Sequence, residues 1–278
     1  MNSFSVNGWA FPSDWSSQRR LEVASRLGYQ GVELCLEAEG EFGLEQPLSA
    51  VEKLGRAARA NGLQVTGLAC GLYWQHSLSA SNPAARERAL GILKTQVRWA
   101  AALQAEAALV VPGAVLVPWD ARSELVRYQD VGQRVADAIR AVAQEARSLG
   151  VLLCLENVWN GFLQSPLEMA EFIDQLGEPV RAYFDIGNVV RTGFPEDWIL
   201  TLGARIARVH AKDYRRSAGT LDGFVPLLAG DVHWAGVREA LFRIGYQGPI
   251  TAEYLPPFRE HPELLLQSTL ASLKAVFA

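Results

Sequence analysis

Leu153-Cys154-Leu155-Glu156-Asn157-Val158-Trp159-Asn160 is an apolar run that stops at a carboxylate and passes into a polar, aromatic segment. The run from Val151 to Leu155 has strand character, so Glu156 stands where a strand ends and a loop begins. The pattern recurs three times downstream. Tyr183-Phe184-Asp185 leads into Ile186-Gly187-Asn188, Ala207-Arg208-Val209-His210 into Ala211-Lys212-Asp213, and Ile250-Thr251-Ala252-Glu253 into Tyr254-Leu255-Pro256-Pro257. Four strands therefore each end in a residue able to bind a metal.

Working outward, the same alternation of strand and helix runs through the chain. Strands are expected at Ser3 to Gly8, Gly31 to Leu36, Leu63 to Ala69 and Ala107 to Val111, then at Val151 to Glu156, Val180 to Asp185, Arg205 to His210 and Pro249 to Glu253. Helices are expected between them, from Ser16 or Ser17 to Gly28, Pro47 to Asn61, Asn82-Pro83 to Gln104 and Tyr128 to Leu149. Four more are expected from Ser165-Pro166 to Leu176, Pro195 to Leu202, Trp234 to Ile244 and His261 to Phe277. Serine or asparagine before a start, proline at a first helical position and glycine after an end supply the punctuation. Eight strand–helix alternations without a linker predict a single (β/α)8 TIM-barrel domain over residues 1–278, in the α/β class. No GxGxxG or GxxxxGK[ST] follows a strand, which lowers the dinucleotide-binding alternative.

Composition narrows the function classes. Of the 278 residues 49% are hydrophobic and 20% charged, as in an ordinary globular domain. A net charge of −4 offers no global positive field for nucleic acid or an anionic membrane. Cys35, Cys70 and Cys154 lie in apolar runs without a CxxC spacing and are expected to be reduced, which with the lack of a signal-like or spanning segment predicts a cytoplasmic location.

In a barrel of this kind the carboxyl ends of all strands open on one face, where active-site groups gather. Glu156, Asp185, His210 and Glu253 are separated by 29, 25 and 43 residues, yet consecutive strands would make them neighbours on that rim. Taken one at a time, each has an ordinary structural role available as a helix cap or loop hydrogen-bonder. Together they form a mostly hard donor set, suited to Mn²⁺, Mg²⁺ or Co²⁺ better than to a structural zinc, which favours thiolates.

The segments Leu155-Glu156-Asn157, Phe184-Asp185-Ile186-Gly187-Asn188, Val209-His210-Ala211-Lys212-Asp213, Gly230-Asp231-Val232 and Ala252-Glu253-Tyr254 resemble the xylose isomerase-like TIM-barrel superfamily. That superfamily includes sugar 3-epimerases, sugar-phosphate isomerases, inosose dehydratases, hydroxypyruvate isomerases and apurinic endonucleases. The closest likeness is to the ketose 3-epimerase and hexulose-phosphate isomerase branch. The resemblance implies one divalent metal, Mn²⁺ in first place with Mg²⁺, Co²⁺ or Zn²⁺ as alternatives, held by Glu156, Asp185, His210 and Glu253. It implies further that Glu156 and Glu253 act as the acid/base pair, which suits C3 epimerisation, where a proton leaves one face and returns to the other. Free-ketose 3-epimerases carry histidine three residues after the aspartate; this chain has Asn188, which can bond a substrate oxygen but cannot shuttle a proton.

Arg216, six residues past His210, matches a substrate-binding arginine of the epimerases, and Lys212 and Asp213 fit the same pattern; solvated arginines and loop closure are the ordinary alternatives. Trp9, Phe11, Tyr73, Trp74, Trp159 and Phe162 fall in rim loops and together suggest a small covered pocket, with Trp74 and Trp159 singled out for substrate contact. Strand parity points Glu33 and Arg208 into the barrel, where a buried structural ion pair between them is expected. Asp231 belongs with the Gly-Asp-Val segment, and His233 is expected as a loop or cap residue.

The expected partner is a small sugar or sugar phosphate, with neither nucleic acid nor membrane. Homo-oligomerisation through the rim is left open by the resemblance. A metal-dependent inosose-type dehydratase is the alternative. An apurinic-site endonuclease stands behind it, since it would need more histidines than the four present and a basic face.

Overall fold

Each apolar run is bounded by residues that cannot continue it. Ser16 Oγ accepts from Arg19 N at the start of the first helix, and Gly28 ends it at a φ of 95°. Asn82 and Ser165 cap their helices in the same way, each followed by proline in the first turn, where no N–H is needed. The computed structural model describes residues 2–254 and 257–278. Leu255 and Pro256, named above among the residues after the eighth strand, lie outside them.

The strands are β1 Phe4–Asn7, β2 Gly31–Leu36, β3 Gln64–Cys70, β4 Ala107–Val110, β5 Leu152–Glu156, β6 Val180–Asp185, β7 Ile206–Ala211 and, last in the barrel, β10 Ile250–Ala252. They pair in parallel and in chain order, and β10 closes on β1. Around them run α1 Ser17–Leu27, α2 Leu48–Ala60, α3 Pro83–Leu103, α4 Tyr128–Ser148, α5 Pro166–Leu176, α7 Pro195–Leu202, α8 Trp234–Arg243 and α9 Pro262–Phe277. The expected (β/α)8 TIM barrel is the fold observed. No helix among the described residues is long and apolar enough to cross a membrane.

Two elements go beyond the expected alternation. A short helix, α6 Ile186–Val190, starts directly after β6, with the Asp185 side chain accepting from Asn188 N. A small antiparallel hairpin, β8 Asp213–Tyr214 with β9 Phe224–Val225, rises from the end of β7. Both are too short to show a hydrophobic period.

The expected Glu33–Arg208 ion pair does not form. Both side chains are buried in the barrel, as their parity requires, but at different heights. Arg208 reaches the amino-terminal end, donating to the Thr66 carbonyl (2.8 Å) and to Glu106 (3.1 Å). Glu33 points the other way, toward Asn7, Tyr183 and His210. The alternation of a strand decides which face a side chain takes but not its height along a tilted, staggered barrel.

Asp213 organises the long loop between β7 and α8. Its carboxylate accepts from the backbone N–H groups of Tyr214 (2.8 Å), Leu228 (2.9 Å), Gly230 (3.1 Å) and Val232 (3.3 Å), and from Trp234 Nε1 (3.1 Å). Gly230 packs so closely that a Cβ there would lie 2.2 Å from Asp213 Oδ1. The loop-closure role is thus the one Asp213 performs. Asp213→Ala, which leaves these donors without their shared acceptor, is expected to lower unfolding free energy by about 2–4 kcal/mol in urea denaturation. Hydrogen exchange should quicken over residues 214–232 before the barrel strands.

Candidate metal centre and active site

The register of the barrel carries the four strand-end residues to one place. Asp185 pairs directly with His210 across β6 and β7, and Glu156 lies opposite Tyr183 across β5 and β6. Glu253 follows β10 and donates its backbone N–H to Ala211 O. One ligand atom from each of Glu156, Asp185, His210 and Glu253 lies within 4.8 Å of every other, and all four residues are buried. His210 Nδ1 stands 3.2 Å from Glu253 Oε2, 3.4 Å from Glu156 Oε1 and 3.9 Å from Asp185 Oδ2.

The other face of the imidazole is held from below. His210 Nε2 donates to Glu33 Oε2 at 2.7 Å, and the same carboxylate accepts from Asn7 Nδ2 at 2.5 Å and from the Tyr183 hydroxyl. A carboxylate can only accept, so Nε2 carries a hydrogen, and once the ring is neutral, as metal binding requires, the Nδ1 lone pair faces the cluster. Gly67 leaves space for this arrangement, since a Cβ there would lie 3.0 Å from Glu33 Oε1 and 3.2 Å from the Tyr183 hydroxyl. Glu33 is therefore the support of the histidine rather than the partner of Arg208.

Lys212 Nζ is the nearest cation, 2.6 Å from Glu253 Oε2 and 3.2 Å from Asp185 Oδ2. These are ion contacts at poor donor angles, because both oxygens remain buried without a hydrogen bond. Two carboxylate oxygens without a hydrogen bond, facing the Nδ1 atom of an imidazole, fit a divalent cation.

The titration of the cluster follows from its crowding. Burial pushes the Glu156 carboxyl up to about 7, with Glu253 and Asp185 adding to the rise and His210 opposing it. Burial likewise raises Asp185 against the pull of Lys212. Burial alone would raise Glu253, but Lys212 and His210 outweigh it and hold that carboxyl well below its usual range. Burial would lower His210, yet Glu33 and Glu253 keep it well above an ordinary histidine.

Above the cluster lies a cavity of about 800 Å³. Glu156, Glu253, Asn188, Lys212, Trp74 and Trp159 all line it, and Trp9 joins them. Asn188 is tied by its Nδ2 to the Asn157 carbonyl (2.9 Å), and its own carbonyl accepts from Trp159 Nε1 (2.8 Å). Arg216 is not brought to the cavity. It is exposed, donates to the Gly193 carbonyl and lies over the Phe194 ring. Phe11, Tyr73 and Phe162 are buried core residues, as isolated loop aromatics often are. His233 is the residue that precedes α8 and contacts Glu196 at 2.8 Å; Asp231 accepts from Arg216 N.

Sequence reasoning missed Trp119, Phe224 and Asp222 on the cavity wall. Trp119 sits in the loop after β4 and Phe224 in the hairpin, neither beside a strand-end ligand. Their aromatic character inside polar loops was the only available signal.

A family model described as xylose isomerase-like TIM barrel matches residues 21–276. Solved structures of the same shape include a D-psicose 3-epimerase in the presence of D-fructose, 18% identical, with a TM-score of 0.79 and 99% of each chain covered. A D-psicose 3-epimerase with D-tagatose from Clostridium cellulolyticum H10 is 17% identical over 99% of each chain, with a TM-score of 0.79. An L-ribulose 3-epimerase is 17% identical over 99% of this chain and 94% of its own, with a TM-score of 0.80. A search of the curated proteins finds no match.

Two measurements test the centre. Metal binding requires Glu156 ionised and His210 neutral, whereas the metal-free protein at neutral pH holds Glu156 partly protonated and His210 charged. Calorimetric titration with Mn²⁺ in buffers of different ionisation enthalpy should show proton release. Affinity should rise from pH 6 to pH 8 by up to roughly tenfold per unit for each proton released. Glu33→Gln, which weakens the orientation of His210 without touching the cluster, should reduce Mn²⁺ affinity by about 10–100-fold.

Proposed function

The chain belongs to the xylose isomerase-like TIM-barrel family, and from that premise we propose that it is a divalent-metal-dependent sugar isomerase or epimerase. The most specific form of the proposal is 3-epimerisation of a ketose through a cis-enediolate, with Glu156 and Glu253 as the acid/base pair. The observation that carries it is that these two carboxylates line one cavity and also belong to the four-residue cluster at its floor.

The two carboxylates enter the cavity from different strands, Glu156 at the end of β5 and Glu253 just past β10, so that one could take the C3 proton and the other return one from the other side. In the reverse direction the roles exchange. A divalent ion held by Glu156, Asp185, His210 and Glu253, with Mn²⁺ the preferred candidate on donor hardness, would stabilise negative charge developing on the substrate oxygens. Asn188 offers its side-chain oxygen to a substrate hydroxyl, and Trp74 and Trp159 offer faces that exclude water.

Among the described residues the cavity wall carries no arginine, and Lys212 is already engaged by Asp185 and Glu253. This favours an unphosphorylated substrate over a sugar phosphate, and a sugar over an abasic DNA backbone. A dehydratase remains the second reading, because Lys212 stands beside the base Glu253 and could protonate a departing hydroxyl.

Metal-loaded protein incubated with ketoses in D₂O should place deuterium at C3, read by NMR, and EDTA should abolish the exchange. Glu253→Gln or Glu156→Gln should slow it by about 10²–10⁴-fold. Exchange at C1 instead would shift the assignment to aldose–ketose isomerisation. No exchange on any ketose, with metal bound, would overturn the epimerase reading and turn attention to inososes.

A further inference from the structure

A cavity of about 800 Å³ lies toward the upper end of the roughly 300–1,000 Å³ typical of sites for drug-sized ligands. A free ketohexose is smaller than such a ligand and bears an oxygen on every carbon. The walls offer it few unengaged partners. Glu156 and Glu253 belong to the metal cluster, Lys212 is held by Asp185 and Glu253, and Asn188 Nδ2 is bonded to Asn157. Asp222 is the only other charged side chain on the described lining.

The rest of the wall is largely apolar, and its aromatic rings are organised. Trp74 and Trp119 meet edge-on with centroids 4.9 Å apart, and Trp159 stacks on Phe224 at 5.1 Å with 24° between the planes. Both pairs line the same cavity. Trp119 and Leu221 on this wall remain 42% and 43% exposed, which leaves apolar surface in water that a ligand would cover. Trp74 and Trp119 present ring faces and edges to an aromatic guest, while Trp159, with Arg191 4.8 Å over its ring, and Phe224 stacked on it complete the apolar wall.

We propose that the substrate is a sugar ketone carrying an aromatic substituent, with the sugar at the four-residue cluster and the substituent against the walls formed by Trp74, Trp119, Trp159 and Phe224. The inference rests on the sugar-isomerase reading for the reacting end and adds an aglycone subsite to it. Lys212, 4.8 Å over the Phe224 ring, stands at the junction of the polar floor and the aromatic wall.

The test uses the Mn²⁺-loaded full chain and three probes, p-nitrophenyl β-D-glucopyranoside, methyl β-D-glucopyranoside and D-fructose, with p-nitrophenol as control. Binding is read by calorimetry and by tryptophan fluorescence. The nitrophenyl glycoside should bind at least about tenfold more tightly than the methyl glycoside and than free p-nitrophenol. Trp74→Ala and Trp119→Ala should each reduce that preference severalfold, with Mn²⁺ affinity unchanged as evidence of an intact fold.

Equal binding of the two glycosides would overturn the aromatic subsite. So would p-nitrophenol binding as tightly as its glycoside. A third contrary result is a wall occupied by a second copy, seen as a dimer that Trp119→Ala converts to monomer in light scattering with no aryl preference in either form. Deuterium exchange, measured separately on free ketoses and on a sugar ketone bearing an aromatic substituent, keeps the two failures distinct. Robust exchange without aryl preference removes only the subsite, whereas aryl preference without exchange removes only the epimerase reading.

Discussion

Three carboxylates and an imidazole confined within 4.8 Å, out of water, set the terms for everything around them. Like charges at that distance cannot all be ionised in a low-dielectric site without a cation. The barrel answers with two devices. Lys212 inserts a positive charge between Asp185 and Glu253, and Glu33 fixes His210 so that its other nitrogen faces the carboxylates. The oxygens still lacking hydrogen bonds are what suit the cluster to a cation.

The scaffold concentrates this charge at little local cost because each of the four residues stands at or just beyond a strand's carboxyl end, where the regular hydrogen-bond ladder finishes. Asp185 shows the economy of the arrangement. Oδ1 caps α6 through Asn188 N, while Oδ2 is left for the cluster. Asn157 links the same region by accepting from Asp185 N and donating to Asp185 O. The loop beyond β7 is tied down separately by Asp213, and the hairpin that starts there presents Phe224 to the cavity.

Much of this was legible in the chain itself. Gly28, Pro83, Pro166 and the serine and asparagine caps mark helix boundaries through backbone chemistry that acts within a few residues, and the structure keeps them within one or two positions. The four residues of the cluster were legible because each interrupts an apolar run at the same structural point. Trp74 and Trp159 are expected at the cavity from their rim loops, and Asn188 and Lys212 from the resemblance in the segments after Asp185 and His210; all four line it. Arg216 is expected there from its match to an arginine of the epimerases and its rim loop, yet its guanidinium turns outward to Gly193 and Phe194. Loop position brings a side chain to the rim but does not choose between the cavity and solvent.

The sequence by itself determined the alternation of strand and helix, the inward parity of Glu33, Arg208 and His210, and the donor set of the centre. These follow from periodicity and local backbone preference, which neighbouring residues carry among themselves. Only the tertiary structure decided that Glu33 supports His210 while Arg208 reaches Glu106, and that Trp119 and Phe224 complete the cavity wall. The stagger of tilted strands sets the height of each side chain inside a closed barrel, and the folding of long loops sets what covers its mouth. Both depend on contacts between residues far apart in the chain, such as Glu33 with His210 and Trp159 with Phe224, which no local pattern encodes.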